Sequence, residues 1–303
     1  MSRCLNPFAL SGRWYRGMFH CHTTNSDGAR SVDEAVARYA ERGYDVLAIT
    51  DHNQLTRARA TAESPLLLVS GTEVDAGRAR FGEPYHLIGL GLDDMIDLPR
   101  GMAARHGLAV QAVIDRLRRA GAVVFIAHPY WSGLVVDDLT PLEGVAGIEV
   151  YNTNTDVDVA KGDASVQWDD CLCARKSMSG IANDDTHWRM GDFGRAWTML
   201  RAEGLSQASV VNALAAGAFY ASTGVVLEDV AFDGETVTVR VEDPGAREIR
   251  FMCDRRWGRR VVSDGTPLRE STFTLRGQER YLRVEAVGMA GDRAWTNPLF
   301  VER

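Results

Sequence analysis

The sequence predicts an α/β protein followed by a small antiparallel β-sandwich, and three observations carry that reading. Up to residue 226, short apolar runs alternate with amphipathic helical stretches, the pattern of a parallel sheet or barrel. From about residue 227 the helical spacing stops, and period-two segments succeed one another between turn signals. His52, Glu73, His128 and Asp185 each fall at or just beyond the end of a predicted strand, the face on which parallel barrels build their sites.

Residues 15–22 read as a strand. Ser31 caps a helix, with Glu34 completing a capping box, and the helix ends near Arg42 before Gly43. Residues 45–50 (DVLAIT) form a short buried strand, 66–73 a Leu- and Val-rich one, and 86–92 a third. Helical spacing covers 108–120 and stops at Gly121. Strands follow at 122–127 (AVVFIA) and 147–151, a helix at 168–175, a strand at 179–183, and a helix at 206–216 before Gly217. In the tail, 236–241 (TVTVRV), 248–252, 271–275 and 281–287 alternate, and Asp233-Gly234, Asp264-Gly265 and Ala290-Gly291 mark turns. The expected division is therefore 1–226 and 227–303. The second part is short for an independent domain and is expected to pack on the first.

Composition narrows the class. The chain has 303 residues and a formal net charge of −7, which argues against bulk attraction to nucleic acid or membrane. Its five cysteines (Cys4, Cys21, Cys171, Cys173, Cys253) are odd in number, and the 171/173 pair is not C-x-x-C, so neither a disulfide framework nor a zinc ribbon is expected. Residues 1–16 hold no sustained apolar run and no stretch is long enough to span a bilayer, so a cytoplasmic location is expected.

Histidine is the commonest metal ligand, and here six of seven histidines fall in short motifs, most of them with an acid nearby; only His106 stands outside. His20-x-His22 sets two imidazoles on one face of a strand, with Cys21 facing the other way. Asp27 follows in a turn-like segment. Thr50-Asp51-His52, Gly71-Thr72-Glu73, Ala127-His128-Pro129 and Asp184-Asp185-Thr186-His187 each end a buried apolar strand, where a charged group costs desolvation unless satisfied. Each alone fits a satisfied polar residue at a strand end; together, in one topological position, they point to a metal centre.

In this order the motifs, with His86, resemble those of the PHP (polymerase and histidinol phosphatase) superfamily over roughly residues 16–223. The resemblance implies a distorted (β/α)7 barrel with two or three divalent ions of manganese, zinc or iron. It implies that His20, His22, Glu73 and Asp185 hold a first ion, that Glu73 bridges to a second completed by His86 and His128, and that Asp27, His52 and His187 hold a third. Some members carry histidine where this chain has Asp27. The chain looks most like the stand-alone metal-dependent phosphoesterases, in particular a bacterial subgroup with an appended β domain.

Such ions suit hydrolysis of a phosphoester in a small phosphorylated molecule or nucleotide by metal-activated hydroxide. Glu73, Asp51 and His187 are the catalytic candidates, the last two for proton transfer, with Asp51 alternatively orienting an imidazole. Arg57, Arg189 and Arg195 are candidate phosphate clamps. Tyr130, like Trp131, Tyr151 and Trp188, is a candidate stacking platform. Arg255, Arg256, Arg259 and Arg260 surround Trp257 at a predicted hairpin, read as a solvated turn or an arm over the barrel mouth. The alternatives are hydrolysis of another bond, amide or phosphotriester, and a non-catalytic metal- or partner-binding protein.

Overall fold

The computed structural model describes residues 5–56 and 66–301. After a short 3-10 turn at Pro7–Ala9 come β1 (Arg13–Met18), α1 (Val32–Glu41), β2 (Val46–Ile49), β3 (Leu67–Ala76), β4 (Tyr85–Leu90), α2 (Met102–His106), α3 (Val110–Arg119) and β5 (Val123–Ile126). Then follow α4 (Val136–Leu139), β6 (Gly147–Asn152), α5 (Thr153–Val159), α6 (Ser165–Cys173), β7 (Ser179–Asn183), β8 (Trp197–Ala202), α7 (Gln207–Ala216) and β9 (Phe219–Ser222). The remainder is all strand: β10 (Leu227–Phe232), β11 (Thr236–Val241), β12 (Ala246–Cys253), β13 (Gly258–Val262), β14 (Glu270–Thr274), β15 (Tyr281–Gly288), β16 (Arg293–Thr296) and β17 (Leu299–Phe300).

The expected parallel barrel is present only in a coarser form. Hydrogen-bonded neighbours run β13-β12-β15-β16-β9-β8-β1-β2-β3-β4-β5-β6-β7. β1-β2-β3 and β5-β6-β7 are parallel, but β4 is antiparallel to both neighbours, β8 is antiparallel to β1, and β9 is antiparallel to β8. The ladder does not close at β7. The seam is crossed by side chains, with Ala182 N–H donating to Thr198 Oγ1 at 3.1 Å and Phe19 N–H to Asn183 Oδ1 at 2.9 Å, and just beyond the strands by main-chain bonds from Asp185 N–H to the His20 carbonyl at 3.0 Å and from His22 N–H to the Thr186 carbonyl at 3.1 Å. Phe19, Val69, Ile88, Phe125, Ile181 and Leu200, drawn from strands along the whole curve, share one apolar cluster inside it.

Local chemistry sets the elements as expected at α1, where Ser31 and Glu34 form the capping box and Gly43 leaves at φ +73°. Glu73 is a correction. It lies inside β3, which continues to Ala76 because it swaps its partner from β2 to β4 at residues 70–71. β1 also stops at Met18, short of His20, although Cys21 still bridges to Thr186 in parallel.

In the C-terminal part a three-stranded sheet β10-β11-β14 faces β12-β13-β15, and Val230, Val237, Ile249, Phe251 and Val284 fill the space between. That second layer is not separate from the first part: β16 pairs with β9, joining it to the large sheet. Among the described residues no helix is long and apolar enough to cross a membrane.

Candidate metal centre

The site is assembled by the chain just beyond β1, β2, β5 and β7, together with the face of β3 and β4 that carries Glu73 and His86. His20 Nε2 and His22 Nε2 lie 3.1 and 3.0 Å from Asp185 Oδ1, and each lies 3.2 Å from Glu73 Oε2. All four residues are at most 3% exposed. The contacts are short, yet His20 Nε2, His22 Nε2 and Asp185 Oδ1 have no hydrogen-bond partner. Lone pairs converging on a common point without donor alignment are what a bound cation requires, and leaving them otherwise unmet is costly in a buried site.

Three overlapping donor groups fit divalent-ion binding: His20, His22, Glu73 and Asp185; His52, Glu73 and His86; and His22, Asp27, His52 and His187. Glu73 joins the first two. Its Oε1 accepts from His86 Nδ1 at 2.8 Å and lies 3.2 Å from His128 Nε2, while His52 Nδ1 is 3.1 Å from Oε2. His128 therefore stands beside the second group rather than in it, and His52 takes the place expected for it. In the third group Asp27, half exposed, lies 3.7, 3.6 and 3.4 Å from His22 Nδ1, His52 Nε2 and His187 Nε2.

Charge explains the proton equilibria. Burial works against protonation of His22, but Asp185 and Glu73 outweigh it and raise its pKa to about 9; Asp185, Glu149 and Glu73 raise His20 in the same way. Burial pushes Glu73 upward, and His20, His52 and His86 more than reverse this, holding it well below the usual carboxylate range. Protons and divalent ions compete for these lone pairs.

Neighbouring groups fix the ligand atoms. Glu149 is fully buried, and its Oε1 sits 2.8 Å from His20 Nδ1, so that ring keeps its proton on Nδ1 and turns a lone pair at Nε2 toward the centre. His187 Nδ1 lies 2.9 Å from the Asp185 carbonyl, with the same consequence. Asp192 accepts from His187 N–H at 2.7 Å and Trp188 N–H at 3.1 Å, pinning the loop. Asp184 accepts from the N–H groups of Gly194, Arg195 and Ala196; burial nevertheless pushes its pKa up to about 6. The sequence reading did not single out Glu149 or Asp192. The available signal for Glu149 was an acid inside the apolar run GIEVY.

Other candidates fall elsewhere. Asp51 touches no imidazole: its oxygens accept from Thr23 N–H and the hydroxyls of Thr23, Ser26 and Thr56. It staples the turn that presents Asp27, and it is fully buried. Arg189 reaches the site, donating from Nη2 to the Asp27 carbonyl at 2.6 Å. Arg195 is exposed and lines a different cleft of about 760 Å³, with Tyr151, Arg293 and Trp295, that none of the candidate ligands lines. Tyr151 stacks on Trp295 there, and Trp188 donates to the His22 carbonyl and packs on Phe193, so neither is a free platform. Trp131 is better placed, edge-on to His128 at 5.0 Å and to His86 at 6.1 Å between ring centroids. Tyr130 is exposed beside it, with Lys161 near its ring. Arg57 lies outside the described residues. The Arg255–Arg260 region forms the β12–β13 hairpin, where Arg260 binds Glu248. Cys21, Cys171, Cys173 and Cys253 are free thiols, and Cys21 packs into an apolar cluster away from the ligand atoms.

The fold resembles that of a two-domain protein of Bacteroides vulgatus containing a PHP-like metal-dependent phosphoesterase, at 17% identity and a TM-score of 0.50, over 99% of this chain and 100% of that one. In sequence, the chain is 32% identical over 109 residues (34% of its length) to a 3',5'-nucleoside bisphosphate phosphatase of Chromobacterium violaceum, covering 36% of that protein. It is 35% identical over 79 residues (25% of its length) to a phosphoribosyl 1,2-cyclic phosphate 1,2-diphosphodiesterase of Eggerthella lenta, covering 30% of it. The matches thus span about a third of these curated relatives. Residues 19–156, which include every candidate ligand except Asp185 and His187, match the PHP domain model.

Proposed function

We propose that this protein is a divalent-metal-dependent phosphoesterase acting on a small phosphorylated molecule, with a nucleotide among the candidates. The observation that carries the reading is the convergence of His20 Nε2, His22 Nε2 and Asp185 Oδ1, buried and without hydrogen bonds, around Glu73. The imidazole and carboxylate donors suit zinc, manganese or iron. His20, His22, Glu73 and Asp185 would hold one ion, His52, Glu73 and His86 a second, and Asp27, His52 and His187 would complete a further position with His22 beside it. Ions held there would supply Lewis acidity and nucleophile activation near neutral pH for displacement at phosphorus.

The chain's own residues do the rest. Glu149 and the Asp185 carbonyl hold the protons of His20 and His187 on Nδ1, which leaves both Nε2 atoms free to donate electrons. With no ion at that third position, His187 Nε2 would instead exchange a proton at the open, Asp27 side of the site. Trp131 walls off the His86–His128 side and leaves 40% of its surface to meet an apolar or aromatic part of the substrate. The names of the relatives, a bisphosphate phosphatase and a cyclic phosphate diphosphodiesterase, support phosphoester chemistry. We further propose the division at 226/227 and a barrel-like closure of the first part.

The test is hydrolysis by the protein reconstituted with manganese, iron or zinc, against phosphomonoesters, phosphodiesters, a phosphotriester and an amide. Cleavage of a phosphoester, abolished by chelator and restored by metal, is the expected result. Metal binding with no phosphoester cleaved would overturn the reading, and cleavage confined to the amide or triester would replace it.

A further inference from the structure

His106, the histidine that no sequence motif claimed, is brought to the edge of the metal centre by α2. Its Nε2 lies 2.8 Å from Asp75 Oδ2, and the side chain is 7% exposed. Asp75 in turn is two residues beyond Glu73 on the same face of β3 and pairs across the ladder with His86. Its other oxygen, Oδ1, accepts from the amide of Asn53, the neighbour of His52, and from Arg105 Nε at 2.9 Å, with Arg105 Nη2 also at 2.9 Å. One carboxylate thus gathers an arginine, a histidine and an amide next to two candidate ligands.

A structural ion pair would need one cation per carboxylate. Here a guanidinium and an imidazole share one carboxylate, and the pairing is one-sided: Oδ1 takes Arg105 and Asn53, while Oδ2, 2.8 Å from His106 Nε2, is buried without a hydrogen bond. Asp75 grips the Nε and Nη2 edge of Arg105, and Nη1 has no partner among the described residues. The Arg105 side chain is 16% exposed, so that free edge is reachable from solvent. His106 Nδ1 and Asn53 Oδ1 are buried without partners beside it. A guanidinium anchored on one side and open on the other is a pre-oriented receptor for an oxyanion.

We propose that Arg105, oriented by Asp75 and backed by His106, forms a subsite for a second anionic group of the substrate, a phosphate or carboxylate distinct from the group bound at the metal centre. The proposal rests on the phosphoesterase reading only for the place of the first phosphate.

The experiment is a calorimetric titration of the manganese-loaded protein with three non-hydrolysable ligands on one scaffold: benzylphosphonate, para-carboxybenzylphosphonate and para-xylylene bisphosphonate. The two dianchored ligands are expected to bind about tenfold or more tightly than benzylphosphonate, the size of one added charge-assisted contact. Arg105→Met should erase that advantage and leave benzylphosphonate binding unchanged; Arg105→Lys should restore part of it. Whichever dianchored ligand gains more separates phosphate from carboxylate as the natural group. Equal affinity for all three ligands, or equal weakening of all three by Arg105→Met, overturns the subsite. Turnover of phenyl phosphate by the same preparation is read separately: its absence counts against the phosphoesterase reading, while the binding ratios still decide the subsite.

Discussion

Glu149 shows at the scale of one residue why this site needs a carboxylate where no ligand is required. Its four partners are all donors: His20 Nδ1–H and the Asn183 amide at Oε1, the His128 N–H and the Asn152 amide at Oε2. An amide offers one acceptor and one donor, so either orientation of Gln sets N–H against N–H on one side. Glu149→Gln is therefore expected to weaken zinc or manganese binding by about 10–100-fold. Competition with a chromophoric chelator measures this, and histidine nitrogen NMR reports whether His20 leaves the Nδ1–H tautomer. Unchanged affinity together with an unchanged tautomer would sink the positioning role. Residue identity was the most legible level of this chain: the ligand candidates could be named from short motifs because histidine and buried acid are chemically unusual. Their partners were not. Asp192 and Asp75 look like ordinary acids until the fold puts them beside His187 and His86. The backbone adds a signal that composition cannot carry, since His128 and Asp185 sit at φ +27° and +53°, a strained conformation for residues other than glycine.

At the scale of elements, the loop from β7 to β8 is where structure and site are most tightly joined. Asp192 ties Thr186, His187 and Trp188 to the far side of the loop through its two oxygens. Asp192→Ala leaves buried donors unmet and is expected to cost about 1–3 kcal/mol, with the ion at Asp27, His52 and His187 lost before the others. Thermal unfolding and metal stoichiometry check the two parts; full stoichiometry in the variant would refute the second. A second element-level prediction concerns β12 and β13. The Arg260 guanidinium, aided by Arg250 against the effect of burial, holds Glu248 down at about 2 from an ordinary value of 4.5. A depressed carboxylate stabilises the fold above its unfolded pKa, and that contribution is lost as pH falls through the folded value. The midpoint difference between the native protein and Glu248→Gln should thus be constant near neutrality and shrink between about pH 4.5 and pH 2. A difference that does not change across that window would exclude the linkage. Capped helices and buried runs such as 45–50 were readable because their signals are local. β8 and β9 were not, because β9 has four residues and their outer partners, β1 and β16, are distant in sequence.

For the whole molecule, the change of texture near residue 227 was legible, but the joint between the two parts was not. β16 adds to β9, Asn297 accepts from Gly180 N–H and donates to the carbonyls of Gly217 and Phe219, and fully buried Arg283 on β15 forms a forked pair with Asp169 of α6 at 2.7 and 2.8 Å. None of these contacts follows from a periodic pattern; each depends on where two distant segments meet. Breaking the buried pair with Arg283→Met leaves Asp169 and Glu285 facing an apolar chain and is expected to cost about 3–5 kcal/mol, read from chemical denaturation. The joint also decides how metal acts on stability. An ion that binds only the native state stabilises it by about 2.7 kcal/mol at a free concentration a hundredfold above its dissociation constant. If the sheet runs unbroken through β9 and β16, that gain is shared by all 303 residues and not by the first part alone. Calorimetry should then show one unfolding transition that moves upward as free metal rises and downward with chelator. Two transitions, with the upper or lower one indifferent to metal, would mean that the C-terminal strands unfold on their own and that the β9–β16 pairing is a contact between independent units.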